Sequence, residues 1–308
     1  MVGVAVTAAL KTREPKRGPH RVVVATHTLS RTTVATLVLD KDARSRTDEE
    51  AVAAALANER RSDAAGVPDA GRAAGGLDLR GGEAVELEVC EAPPEWRGLL
   101  GGSLGLTRAT AGAPRPGRGP APPAAVMPGM LVFPGSFDPL HEGHLRMAVV
   151  AEEIAERPLD FEISVTNVDK PLLDFVEMRS RAAQFAGRSL WFSRAATFLA
   201  KLDLFPGGTF VMGADTYVRL ADPRYYGGSA HEAARAVERI ASQARGLIVF
   251  GRERGGSFED PARLDVPEPL RDVTYFVSQR EFRMDISSTA LRRAAADAAA
   301  LRPEDGPQ

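Results

Sequence analysis

The sequence predicts an α/β protein in which a doubly wound parallel sheet follows a smaller α/β fragment. Beyond residue 130, short apolar runs alternate with helical stretches, the pattern of parallel strands covered on both faces. Before residue 60, three Val- and Thr-rich segments lead into one Ala-rich helix. Between the two parts, "AGAPRPGRGPAPPAAVMPG" (residues 111–129) is rich in Pro and Gly and has the composition of an extended linker. The expected organisation is a fragment over 1–110, a linker over 111–129 and the main domain over 130–308.

In the first part, "VGVAVTAAL", "HRVVVATHT" and "TTVATLVLD" read as strands separated by polar or Pro/Gly-containing turns. The helix "RTDEEAVAAALANERR" opens with Thr47 three residues ahead of Glu50, a capping-box spacing. "EAVELEVCEA" supplies one further strand before residue 102. A strand at the very first residues leaves nothing ahead of it to cover one sheet face, so the chain is expected to begin inside this domain. In the second part the strands are "MLVFPG", "FEISVTNV", "GTFVMGAD", "GLIVFGR" and "VTYFVSQ". Helices are expected near 143–157, 176–186, 195–204, 231–244 and 287–299. Such folds bind ligands beyond the carboxyl ends of their strands.

Composition narrows the function. The 308 residues carry 39 Lys+Arg against 41 Asp+Glu, a formal charge of −2. That balance makes no electrostatic case for nucleic acid or an anionic membrane as the main partner. A single cysteine, Cys90, excludes an internal disulfide framework and any multi-cysteine metal site. No apolar run is long enough to cross a bilayer, and the N-terminal charges follow the apolar part, the reverse of a secretory signal. The expectation is a soluble cytoplasmic protein.

Two of only five histidines fall in "VFPGSFDPLHEGHLRMA", residues 132–148. A strand ends there at Phe133, and Pro134, Gly135 and Ser136 turn so that backbone N–H groups can meet an anion. A second turn at Asp138–Pro139 leads into a helix whose N-terminus is a ready phosphate site. His141 and His144, three residues apart, project to one side of that helix, and Gly143 between them clears space for a ligand. Metal ligation is the weaker alternative, since no third ligand is near and the spacing is not H-E-x-x-H. Capping or packed histidines are the structural one.

The whole pattern "GSFDPLHEGH" resembles the H-x-G-H nucleotidyltransferase superfamily, and "ISSTALR" matches its second motif, S-S-T-x-x-R, at Ser287, Ser288, Thr289 and Arg292. Together, Asp138–Pro139 and His141 are most similar to nicotinate or nicotinamide mononucleotide adenylyltransferases. "FVMGAD" (Gly213, Asp215) and "LIVFGR" (Arg252) also match strand ends of those enzymes, and "VEMRSRAAQF" loosely matches one of their helices. "NVDKPLLDF" and "DPRYYGG" depart from their pattern. "VGVAVTAALKTREPKRGPHRVVVATHT" resembles the later part of the CinA C-terminal family, which deamidates nicotinamide mononucleotide. That family's S-C-T-G-G nucleophile stretch is missing, so no amidase activity is expected.

The resemblance implies a Rossmann-like nucleotidyltransferase that moves AMP from ATP to a phosphorylated acceptor and releases pyrophosphate. Its implied ATP contacts are His141 and His144 on the phosphates, the turn of Gly135, Ser136, Phe137 and Asp138, and Gly143. Ser287, Ser288, Thr289 and Arg292 would hold the β- and γ-phosphates. Gly213 and Asp215 would lie along the nucleotide, Asp215 accepting from a ribose hydroxyl or capping the following helix. Arg252 would reach the triphosphate or solvate a loop, and Lys170 would meet the acceptor phosphate or be an exposed strand-end lysine. Trp191 would stack on a pyridine ring or belong to the core. Mg²⁺ would arrive with ATP, and no resident metal is expected. The remaining alternatives are another acceptor, CTP as donor, or a non-catalytic nucleotide-binding regulator. The expected partners are ATP and a small phosphorylated acceptor, without nucleic acid or membrane. A homo-oligomer is the open question of assembly.

Overall fold

The computed structural model describes residues 2–14, 17–67, 76–109, 126–167, 171–254 and 257–282. The chain divides into two compact units, Met1–Gly101 with Asp174–Arg179, and Gly102–Leu173 with Ser180–Gln308.

The first unit holds β1 (Gly3–Ala9), β2 (His20–His27), β3 (Arg31–Leu39), α1 (Arg46–Ala65), β4 (Val85–Glu91) and α2 (Pro94–Gly101). The strands form an antiparallel sheet in the order β1-β2-β3-β4. Alternate residues of β2 and β3 point to one face, where Val22, Val24, Ala35, Leu37 and Leu39 form a core with Val52, Ala53 and Leu56 of α1. Helix α1 is capped by Ser45 with Asp48 as its capping-box partner. The cap therefore lies two residues before the expected Thr47–Glu50 pair, because the residue already in extended backbone conformation is Ser45. Buried charged and ionisable groups here have partners. His20 Nδ1 lies 2.6 Å from Glu49, and Arg44 is held by Glu83 and Asp78.

The second unit holds β5 (Leu106–Arg108), β6 (Leu131–Pro134), α3 (Glu142–Ala155), β7 (Leu159–Ser164), α4 (Phe175–Ala183), β8 (Leu190–Ser193) and α5 (Phe198–Leu204). It continues with β9 (Thr209–Gly213), α6 (Ala214–Arg219), α7 (Ala230–Gln243), β10 (Gly246–Phe250), β11 (Arg252–Arg254), β12 (Ser257–Glu259), α8 (Glu268–Asp272) and β13 (Thr274–Val277). The first residues of α4 group with the first unit and the last with the second. The main sheet runs β13-β10-β9-β6-β7-β8-β5, all parallel except β5 on β8. Numbered along the chain, the six parallel strands lie in the order 3-2-1-4-5-6, the doubly wound Rossmann arrangement, which reverses between β6 and β9.

One face of this sheet buries Val132, Phe210, Met212, Leu247 and Val249 with Leu202 of α5 and Val237 and Ile240 of α7. On the opposite face, alternation along β6 and β7 places Phe133 and Phe161 against Phe137 and Phe185. Two boundaries differ from the sequence reading. The units part between Gly101 and Gly102, before residue 110, because β5 pairs with β8 in the second sheet. At the end of the expected linker, Gly129 donates to Pro206 O at 3.0 Å and accepts from Arg157 at 2.6 Å, which ties that stretch to the second unit. No helix among the described residues is long and apolar enough to cross a membrane.

Candidate active site

The strand order reverses between β6 and β9, and the region beyond the carboxyl ends of these strands is where doubly wound sheets bind ligands. From β6 the chain enters it through Gly135–Leu140 and leaves as α3, with His141 as N-cap in extended conformation. Gly135 donates its N–H to Glu162 O at 2.9 Å, so what it brings to the turn is room rather than a free donor. A Cβ there would lie 2.6 Å from the Phe137 ring. Phe137 adopts φ 43°, rare for a bulky residue, and its buried ring meets Phe133, Phe161, Phe185 and His144 edge-on. That aromatic nest over-determines the strained backbone.

His141 and His144 stack with ring centroids 3.7 Å apart. The His141 backbone N–H donates to His144 Nδ1 at 3.4 Å. With Nδ1 accepting, the neutral His144 ring carries its proton on Nε2. Burial lowers the His144 pKa to about 4, with His141 adding to the shift, and burial also lowers His141. At neutral pH both rings are uncharged. One nitrogen of His144 thus serves the helix end. Gly143 is buried in the first turn of α3.

Two residues that the sequence reading did not single out hold the turn from outside. Arg181 donates to Ser136 O at 2.7 Å and lies 3.6 Å from Asp138, and Gln184 accepts from the Leu140 N–H at 2.8 Å. Nothing in their local spacing marked them, since Arg181 stands in α4 and Gln184 one residue past its end. Ser136 is exposed and Asp138 half-buried.

At the end of β9, Gly213 is the N-cap of α6, open space lies where its Cβ would be, and Asp215 sits in the first helical turn. The cap is thus Gly213 and not Asp215. Arg252 opens β11 directly after β10 and Gly251. Trp191 is a core residue, buried with Nε1 donating to Asp160 at 3.2 Å, so it is not placed to stack on a ligand. Lys170, Ser287, Ser288, Thr289 and Arg292, with the helix expected at 287–299, lie outside the described residues. Among the described residues no cluster of three His, Cys, Asp or Glu side chains could hold a metal ion.

No curated protein matches the chain significantly. A family model described as cytidylyltransferase-like matches residues 132–294, from β6 through the turn, both histidines and every remaining parallel strand. That match spans more than half of the chain, which belongs to the cytidylyltransferase-like family of nucleotidyltransferases.

Proposed function

We propose that the second unit transfers AMP from ATP to nicotinate or nicotinamide mononucleotide and releases pyrophosphate. The observation that carries the reading is the pair His141–His144, neutral and stacked at the mouth of α3, with a donor kept on His144 Nε2. A phosphate monoester has its second pKa near ~6, so the acceptor is already largely dianionic at neutral pH and needs no general base. Its oxygen attacks the α-phosphorus in line; the new O–P bond forms as the bond to the β-phosphate oxygen breaks, and pyrophosphate leaves with the electron pair. What the protein must supply is alignment and charge stabilisation on the equatorial and leaving oxygens.

In this reading His144 donates to the α-phosphate and His141 to a neighbouring phosphate oxygen. Ser136, Phe137 and Asp138 shape the turn beside them. Ser287, Ser288, Thr289 and Arg292 grip the β- and γ-phosphates, Gly213 and Asp215 flank the nucleoside, Arg252 approaches the triphosphate and Lys170 meets the acceptor phosphate. Mg²⁺ enters bound to ATP as part of the substrate. The likeness of the first residues to a nicotinamide mononucleotide amidase supports the acceptor, because both reactions use the same mononucleotide.

The test is pyrophosphate release from ATP or CTP with a panel of phosphorylated acceptors that includes both pyridine mononucleotides. Product with ATP and either mononucleotide is expected. Turnover only with CTP or with a different acceptor would replace the substrate assignment, and no product with any pair would favour a nucleotide-binding regulator.

A further inference from the structure

Among the described residues, strand β1 is an edge of the first sheet and pairs only with β2. From Gly3 to Ala8 every residue is exposed, including Val4 (42%) and Val6 (51%). Natural edge strands are usually blunted by charges, prolines, bulges or a covering segment, since their free N–H and C=O groups template another strand. The sequence "GVAVTAA" has neither charge nor proline, and its register with β2 runs unbroken from Gly3–His27 to Ala9–Arg21. The opposite edge shows the protection that β1 lacks. There β4 carries Glu86, Glu88 and Glu91, and Arg179 bonds Val89 O at 2.9 Å and Glu88 at 2.7 Å.

The side chains add an apolar stripe to the free backbone. Val6 pairs with Val24 and Ala8 with Val22, so Val4, Val6 and Ala8 lie on the sheet face that α1 covers over β2. Among the described residues nothing covers that face over β1.

We propose that two copies of this chain associate through β1, pairing antiparallel about a twofold axis near Val6 into one eight-stranded sheet. Charge selects this occupant. Pairing β1 with itself sets Val6 against Val6 and Val4 against Ala8, apolar throughout, and closes after two copies. Pairing it with β4 of a second copy would lay three glutamates along the uncharged strand and leave open ends. A second β4 on β4 would oppose like charges.

The proposal is independent of the catalytic reading and is tested on the full chain by light scattering and sedimentation. The wild type is expected to be a dimer. Val6→Lys, on an exposed side chain, should halve the molar mass while circular dichroism shows the fold retained. Val6→Cys supplies a second readout. Directly opposed residues have Cβ atoms about 4.5–5.5 Å apart, close to disulfide reach. Mild oxidation should therefore give a covalent dimer, and the only native cysteine, Cys90, is buried. A monomeric wild type, a dimer that survives Val6→Lys, or failure of Val6→Cys to cross-link would each overturn it.

Discussion

A Cβ added to Gly135 would meet the Phe137 ring at 2.6, 2.8 and 2.9 Å, closer than carbon atoms approach without displacement. The ring cannot easily yield, because three other phenyl rings and His144 hold it. Gly135→Ala should therefore behave as overpacking, costing about 1–3 kcal/mol in urea denaturation. It should also lower turnover by shifting the ring against which His144 rests. Stability and turnover both at wild-type level would mean that the turn has slack. Phe137 has no equal replacement: glycine would relieve the positive φ but leave the nest empty. The donor itself is a separate matter. His144→Ala should cut pyrophosphate release by roughly two or more orders of magnitude, in the range of a lost oxyanion-type donor, with the fold retained by circular dichroism. Undiminished turnover would remove His144 from the chemistry.

Between elements, one buried ion pair ties the sheet to a helix near the site. Glu162 on β7 is fully buried, accepts from Ser193 on β8 and pairs with Lys201 on α5 at 2.6 Å, while its carbonyl holds the Gly135 N–H. Removing one partner of a buried pair leaves an uncompensated charge, at a cost of about 3–5 kcal/mol. Lys201→Met should approach the lower figure, since Lys201 keeps some contact with water. The double variant Glu162→Gln with Lys201→Met should recover much of that loss, measured as a coupling in urea midpoints; strictly additive losses would deny the pair. This cluster was not legible in the sequence, and neither were Arg181 and Gln184. Glu162, Ser193 and Lys201 are brought together only by sheet order, and Arg181 reaches Ser136 across 45 positions. By contrast His141 and His144 were legible because helical spacing alone puts them on one face. The five apolar runs of the second part all became strands of its main sheet. The main-sheet strands that escaped notice are short: β8 is four residues, all buried, and β5 is three, too few to show a period.

Over the whole molecule, acid should act in two stages that follow from which groups are buried. Burial lowers the pKa of His27, His141 and His144, the last to about 4. The unfolded chain then binds more protons than the folded one between about pH 6.5 and the folded values. Stability is thus fully present above about pH 6.5 and declines as pH falls through that window, by at most ~1.4 kcal/mol per pH unit for each histidine. Glu83 acts later. Its hydrogen bond to the buried Arg44 holds it at about 2, well below the usual carboxylate value. The stability this adds is present above about pH 4.5 and is lost as pH falls towards 2. Urea midpoints measured from pH 7.5 downwards should therefore slope through the histidine window and steepen again below the carboxylate range. His144→Gln removes one titrating group, so its slope between pH 6.5 and 4 should be shallower than that of the wild type, while the step below pH 4.5 persists. Glu83→Gln should show the reverse: lower stability already at pH 7, because Arg44 is left without its main partner, and a weakened acid step. Midpoints that stay level from pH 7 to 4.5 would mean that the histidines titrate as freely in the folded chain as in the unfolded one, and the neutral-donor role of His144 would fall with that result.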